Sequence, residues 1–181
     1  MKKSFFSLFL RSFIIICIFF ASNLVASKLS PKQIETLKIV RDIAKQYPNA
    51  NGETFENTAM AICLSETSAG VFKVGDIGKD PNIFKASLGI MQVRLETARF
   101  VAQKLNLTDI IKMSDVKLVN RLLGDDKFNA YVAVNFIVWL NDYTKNYFRT
   151  VSRYNGGNHN RPYYYKVMRN MQFIKTVKEL M

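Results

Sequence analysis

Between Ile34 and Ile174 the apolar residues recur at intervals of three and four, and strict alternation is rare. That spacing puts side chains on one face of a helix, whereas a strand needs a period of two. A mainly α fold is therefore expected. Ser30, Pro31 and Gln33 read as a capping box with proline at the first helical position. Ile34, Leu37, Val40, Ile43, Ala44 and Tyr47 then share a face, which Pro48 and Gly52 end. Further helices are expected at residues 55–65 and 96–105, from Ser114 to near Gly124, and over the long stretch 127–147. A last turn is expected at 151–154, before a loop at 156–161. Pro162 then opens a terminal helix carrying Tyr165, Val167, Met168, Met171, Phe173 and Ile174. Residues 70–86 are rich in Gly, Asp and Lys and read as a loop, with room for a short hairpin within 70–93. No internal repeat or low-complexity segment interrupts this pattern.

The amino terminus has a different character. Lys2 and Lys3 precede a strongly apolar stretch, densest over 13–21, and the small residues Ala26 and Ser27 stand before the polar run that starts at Lys28. This is the layout of a secretory signal at residues 1–27, which places the mature chain, 28–181, in the periplasm or outside the cell. The competing reading is an uncleaved anchor, against which Arg11 argues: a charge at bilayer depth costs about 2.5–3.5 kcal/mol. A lipoprotein at Cys17 would want a small residue in place of Ile16. Cleavage leaves 154 residues, enough for one domain with a core. The formal charge falls from +12 to +9, because Lys2, Lys3 and Arg11 go and no acid goes with them. Only Cys63 remains, so no internal disulfide can form. Its apolar neighbours from Ala59 to Leu64 make it a small core residue. A basic exported chain points to a polyanionic partner such as the bacterial wall or an anionic membrane, and away from nucleic acid.

Several chemistries are disfavoured by residue supply. One His and one mature Cys do not make an ordinary metal site. A Ser-His-Asp triad would need His159, which reads more simply as an exposed loop residue. Neither Gly75 nor Gly156-Gly157 has the context of a phosphate-binding loop. Carboxyls remain, and Glu66 stands out. Ala59, Ile62 and Cys63 precede it at helical spacing, so it prolongs an apolar face. A carboxyl against such a face is desolvated and holds its proton to higher pH, as a general acid must. On spacing alone, a solvated glutamate at a helix end is the plainer and favoured reading.

Three words occur in order around it: Ser65-Glu66-Thr67-Ser68, Ser87-Leu88-Gly89-Ile90-Met91-Gln92-Val93, and Arg153-Tyr154-Asn155-Gly156-Gly157. Together they resemble the soluble lytic transglycosylase family, a lysozyme-like group with a Glu-Ser pair ending a helix, a Gly-Leu-Met-Gln stretch and a late Tyr-Asn-x-Gly. Thr97-Ala98 fits the continuation, and residues 129–137 fit more loosely. The resemblance covers about residues 55–166. It implies a lysozyme-like single domain with the short hairpin near the active site. It also implies Glu66 as the catalytic acid/base, and Ser87, Gly89, Met91, Gln92, Tyr154 and Asn155 as the residues that shape the glycan cleft or bind substrate. Core packing is the plainer reading of Met91, and a helix-end aromatic that of Tyr154. The implied activity is cleavage of the MurNAc-GlcNAc bond of peptidoglycan with formation of a 1,6-anhydro ring, without metal or organic cofactor. The implied partner is the glycan strand, with a secretion, conjugation or flagellar machine as possible setting.

Two departures from the family pattern bear on the reaction. Thr67 stands where serine is usual, and the interval from Glu66 to Ser87 is long and carries Asp76 and Asp80. A second carboxylate would allow a lysozyme-type hydrolase instead. A non-catalytic wall-binding protein is the alternative outside enzymology. A cationic membrane-active helix at residues 163–181 is a weaker one, and an ordinary solvated helix face is the preferred reading there.

Overall fold

Eight helices and one small sheet follow one another in the computed structural model, which describes residues 28–77 and 81–181. The signal expected at residues 1–27 lies outside the described residues, as does Asp80. Residues 31–181 form one compact unit. No helix among the described residues is long and apolar enough to cross a membrane.

Helix α1 (Pro31–Ala44) buries Leu37, Val40 and Ala44, as the spacing predicts. Helix α2 (Glu56–Thr67) is buried on nearly all sides. It runs past the expected end at residue 65, so Glu66 and Thr67 lie in its last turn. It stops because Ser68, Ala69 and Gly70 all adopt positive φ. Two of those three are not glycine, so the stop carries little sequence signal.

Three two-residue strands follow: β1 (Val74–Gly75), β2 (Ser87–Leu88) and β3 (Val93–Arg94), antiparallel in that order. The expected hairpin is thus present with one strand more. A short 3-10 turn, Ile83–Lys85, capped by the Asn82 side chain, lies between β1 and β2. Helices α3 (Leu95–Lys104), α4 (Thr108–Ile111) and α5 (Asp115–Gly124) come next, with Ser114 capping α5 as expected. The four-residue α4 has no counterpart in the sequence reading.

The long helix α6 (Asp126–Thr144) is capped by Asp125 and packs on α1, α3, α5 and α7. It ends three residues before the expected limit, at Lys145 with φ +49°. A separate helix α7 (Tyr147–Tyr154), capped by Asn146, replaces the single turn expected there. Helix α8 (Arg161–Ile174) is capped by Asn160 and packs along α2. Its buried face carries Tyr163, Val167 and Ile174, while Tyr165 is exposed.

Candidate functional site

Glu66 projects from the last turn of α2, half-buried, and helix α8 holds that turn in place. Tyr163, Lys166 and Asn170 lie at i, i+3 and i+7 of α8 and so share one face. The Tyr163 hydroxyl donates to Glu66 Oε1 at 2.5 Å. The Lys166 ammonium donates to the Ser65 carbonyl at 2.6 Å, and Asn170 Nδ2 to Ser65 Oγ at 2.8 Å. Burial pushes the Glu66 carboxyl above the usual carboxylate range, against the lowering effects of the Tyr163 hydrogen bond and the Lys166 charge. The Tyr163 phenol is held far above its ordinary range by its own burial and by Glu66. It therefore remains a donor whatever the state of the carboxyl. With Oε1 occupied, the second carboxyl oxygen has no partner among the described residues and is available to carry a transferable proton.

Thr67 anchors the same turn from the other side. Its buried hydroxyl shares its one hydrogen between the carbonyls of Ile90 (2.8 Å) and Cys63 (3.1 Å) and accepts from Gly70 N–H at 2.7 Å. The hydroxyl expected after the glutamate is thus present, and it ties α2 to the 87–93 segment. Cys63 is fully buried, and burial lifts its thiol to about 12, so it is a packing residue.

Residues 87–93 are organised by Asn129 of α6. Its amide donates to the carbonyls of Leu88 (2.8 Å) and Leu122 (3.0 Å), and its oxygen accepts from Met91 N–H at 2.8 Å. Gly89 has φ +72°, and a Cβ there would sit 2.2 Å from the Leu122 carbonyl oxygen and 2.3 Å from Asn129 Nδ2. Only glycine fits both the conformation and the space. Gly89 and Met91 are fully buried, so their side of the word builds the wall behind the cleft. For Met91 this is the core-packing reading.

Ser87, Gln92, Tyr154 and Asn155 do come together with Glu66. They line one cleft of about 640 Å³, with Asp76, Ala133, Phe136 and Arg153. Tyr154 donates its hydroxyl to the Met91 carbonyl at 2.7 Å, joining α7 to the hairpin word. Asn155 accepts from Asn160 at 2.9 Å. Gln92, at φ +51°, bonds the Gly89 carbonyl at 3.2 Å. Ser87 Oγ donates to Asp76 Oδ2 at 2.5 Å, so the serine hydrogen is already engaged, while its oxygen can still accept.

Asp76 is a cleft residue that the reading as a solvated turn only half describes. It is exposed and has φ +57°, as a turn residue would. Yet the pairing Gly75↔Ser87 brings it against Ser87 and beside Arg94, 3.7 Å away, inside the same cleft as Glu66. Its charge adds a smaller upward push on the Glu66 carboxyl.

Tyr163 was not singled out from the sequence. It sits among three consecutive tyrosines, 163–165, and only the start of α8, set by the Asn160 cap, decides which of them meets Glu66. Among the described residues no group of three or more His, Cys, Asp or Glu lies together as a metal site would require. Comparison of the chain with family profiles, curated proteins and solved structures returns no match.

The Tyr163–Glu66 bond predicts a pH effect. Tyr163→Phe removes a contact that favours the ionised carboxyl, so the Glu66 pKa rises further. A reaction that needs Glu66 protonated is lost as pH rises through that pKa. The alkaline limb of the pH–rate profile of the variant should therefore move to higher pH. A limb that stays in place or moves to lower pH would exclude Glu66 as the titrating acid.

Proposed function

We propose that the protein is a peptidoglycan lytic transglycosylase, with Glu66 as its acid and then its base. One observation carries the reading: a desolvated carboxyl, held through one oxygen by Tyr163, opens into a cleft with Ser87 and Gln92 and with Tyr154 and Asn155, so that three distant segments meet there. Those segments are the three words that resemble the soluble lytic transglycosylases, and a mainly α fold with a small hairpin beside the cleft agrees with a lysozyme-like domain.

In the proposed reaction, protonated Glu66 gives its proton to the oxygen between N-acetylmuramic acid and N-acetylglucosamine as the bond to the anomeric carbon breaks. The substrate's N-acetyl group stabilises the charge left on that carbon. The muramoyl C6 hydroxyl then attacks the anomeric carbon and returns its proton to Glu66, closing the 1,6-anhydro ring. The nucleophile is part of the same sugar, so its effective concentration is high. No cofactor enters. The signal-like amino terminus supports action in the periplasm or outside the cell, during wall growth or beside a secretion, conjugation or flagellar machine.

Hydrolysis is the second reading, and the place of Asp76 in the cleft favours it, since a second carboxylate can direct water at the opposite face of the sugar. Against it, Asp76 is already engaged by Ser87 and Arg94. Mass spectrometry of muropeptides released from purified peptidoglycan separates the two. The expected products end in 1,6-anhydro-N-acetylmuramic acid and are lighter by one water than hydrolytic ones. Reducing-end products that vanish with Asp76→Asn would establish the hydrolase, and no release at all would leave a wall-binding protein.

A further inference from the structure

The cleft continues past Phe136. A neighbouring cavity of about 540 Å³ shares Phe136 and Arg153 with it and is walled further on by Phe100 and Trp139. Phe136, Trp139 and Tyr143 lie at i, i+3 and i+7 of α6, one face running about 10 Å along the helix. Trp139 is nearly parallel to both neighbours, at 4° to Phe136 and 10° to Tyr143. Phe100 meets Trp139 edge-on, with ring centroids 4.6 Å apart. Tyr143 is 61% exposed, so the row reaches the surface. Phe100, Phe136 and Trp139, fixed against one another by these contacts, give the cavity an apolar aromatic wall against which the C–H face of a sugar can pack.

Arg153 gives this surface a chemical preference. Its guanidinium lies 5.2 Å from the centre of the Tyr143 ring, and it makes no hydrogen bond or ion pair among the described residues. Its Nε is buried and lacks a partner. Glu96, a carboxylate on the cavity wall, pairs with Arg94 at 3.2 Å. The unpaired terminal Nη groups of Arg153 can still take a carboxylate through two parallel hydrogen bonds.

We propose that this second cavity is a carboxylate-selecting subsite: Phe136 and Trp139 face a sugar of the bound strand, and Arg153 takes a carboxylate borne by that sugar or by the peptide attached to it. The proposal rests on the reading of the Glu66 cleft as a glycan cleft, and deepens it. The subsite distinguishes muramoyl strands from neutral polymers of N-acetylglucosamine with the same linkage.

Trp139 is the only tryptophan of the chain, so its fluorescence reports directly on the cavity. Full-length Glu66→Gln is titrated with three ligands of equal length: peptide-bearing glycan strands, strands stripped of peptide so that the lactyl carboxylate is free, and neutral N-acetylglucosamine oligomers. At least one acidic ligand should bind roughly tenfold or more tighter than the neutral one, as a charge-assisted pair warrants. Preference for the peptide-bearing strand places the carboxylate on the peptide; preference for the stripped strand places it on the lactyl group. Arg153→Gln in the same background should bring the acidic-to-neutral ratio near one, and Arg153→Lys should restore part of it. A merely structural role for Arg153 would weaken all three ligands together and leave the ratio standing, which would overturn the proposal, as would equal binding of all three before the substitution. Strands that bind without any Trp139 response would reject this cavity while leaving the Glu66 cleft intact. Wild-type protein that neither binds nor cuts any strand would reject the glycan reading itself.

Discussion

Glu66→Gln should lower release of glycan fragments from purified peptidoglycan by about 10²–10⁴-fold, toward the upper end of what loss of a general acid–base costs. The upper end is expected because, in the proposed reaction, the same carboxyl protonates the leaving oxygen and later removes the C6 hydroxyl proton. Among the described residues, Asp76 and Glu96 line the same cleft, but Asp76 is engaged by Ser87 and Arg94, and Glu96 pairs with Arg94. The fold should be unaffected. The glutamine carbonyl oxygen can still accept from the Tyr163 hydroxyl, now at 2.5 Å from Oε1. The substitution also removes a charge whose burial is unfavourable, as the upward shift of the carboxyl records. The melting temperature should therefore equal that of the parent or exceed it. Near-parental turnover by a folded Glu66→Gln protein would take Glu66 out of the mechanism.

Helical spacing made the architecture legible because most helices here bury one stripe. The expectation failed at places where backbone geometry departs from residue type. Helix α2 runs on to Thr67 because its stop is made by Ser68 and Ala69 in the left-handed region, where a glycine would have been the visible signal. Lys145 plays the same part at the end of α6, so residues 127–154 read as one long helix and a turn instead of two helices. In the site, the three words were legible as words, but their division of labour was not. Gly89 and Met91 lie between the cleft residues Ser87 and Gln92, yet the tight turn packs Gly89 against Leu122 and Asn129 and sets the Met91 N–H on Asn129. Asp76 enters the cleft through the pairing of β1 with β2, and Tyr163 through the packing of α8 on α2. Both are long-range consequences of the fold that no local pattern encodes. The unpaired Arg153 belongs to the same class: its identity is visible in the third word, and its lack of a partner is visible only once α6 and α7 are packed.

Asn129→Leu should be the most damaging single substitution away from the carboxyl. Asn129 is fully buried, and one side chain satisfies three backbone groups: the carbonyls of Leu88 and Leu122 and the N–H of Met91. Leucine has nearly the same shape and no polar atom, so all three groups lose this partner inside the core. Each buried group left unpaired costs about 1–3 kcal/mol, and apolar gain from the leucine offsets only part of that. A net loss of about 3 kcal/mol is expected, which for a domain of this size lowers the melting temperature by roughly 6–12 °C. Activity should fall further than stability accounts for, even well below the melting point. The 88–91 turn carries the Ile90 carbonyl that holds Thr67 and the Met91 carbonyl that holds Tyr154. Releasing that turn therefore loosens the helix end that carries Glu66 and the opposite wall of the cleft together. Asn129→Asp tests which of the three contacts matter. It keeps an acceptor for Met91 N–H but sets carboxylate oxygen against the Leu88 and Leu122 carbonyls, so it should destabilise at least as strongly as leucine. Thermal melting with glycan release measured at 20 °C below each melting point tests the chain of contacts. An Asn129→Leu protein that melts within 2 °C of the parent and keeps its activity would show that the Gly89 turn holds its shape without the amide.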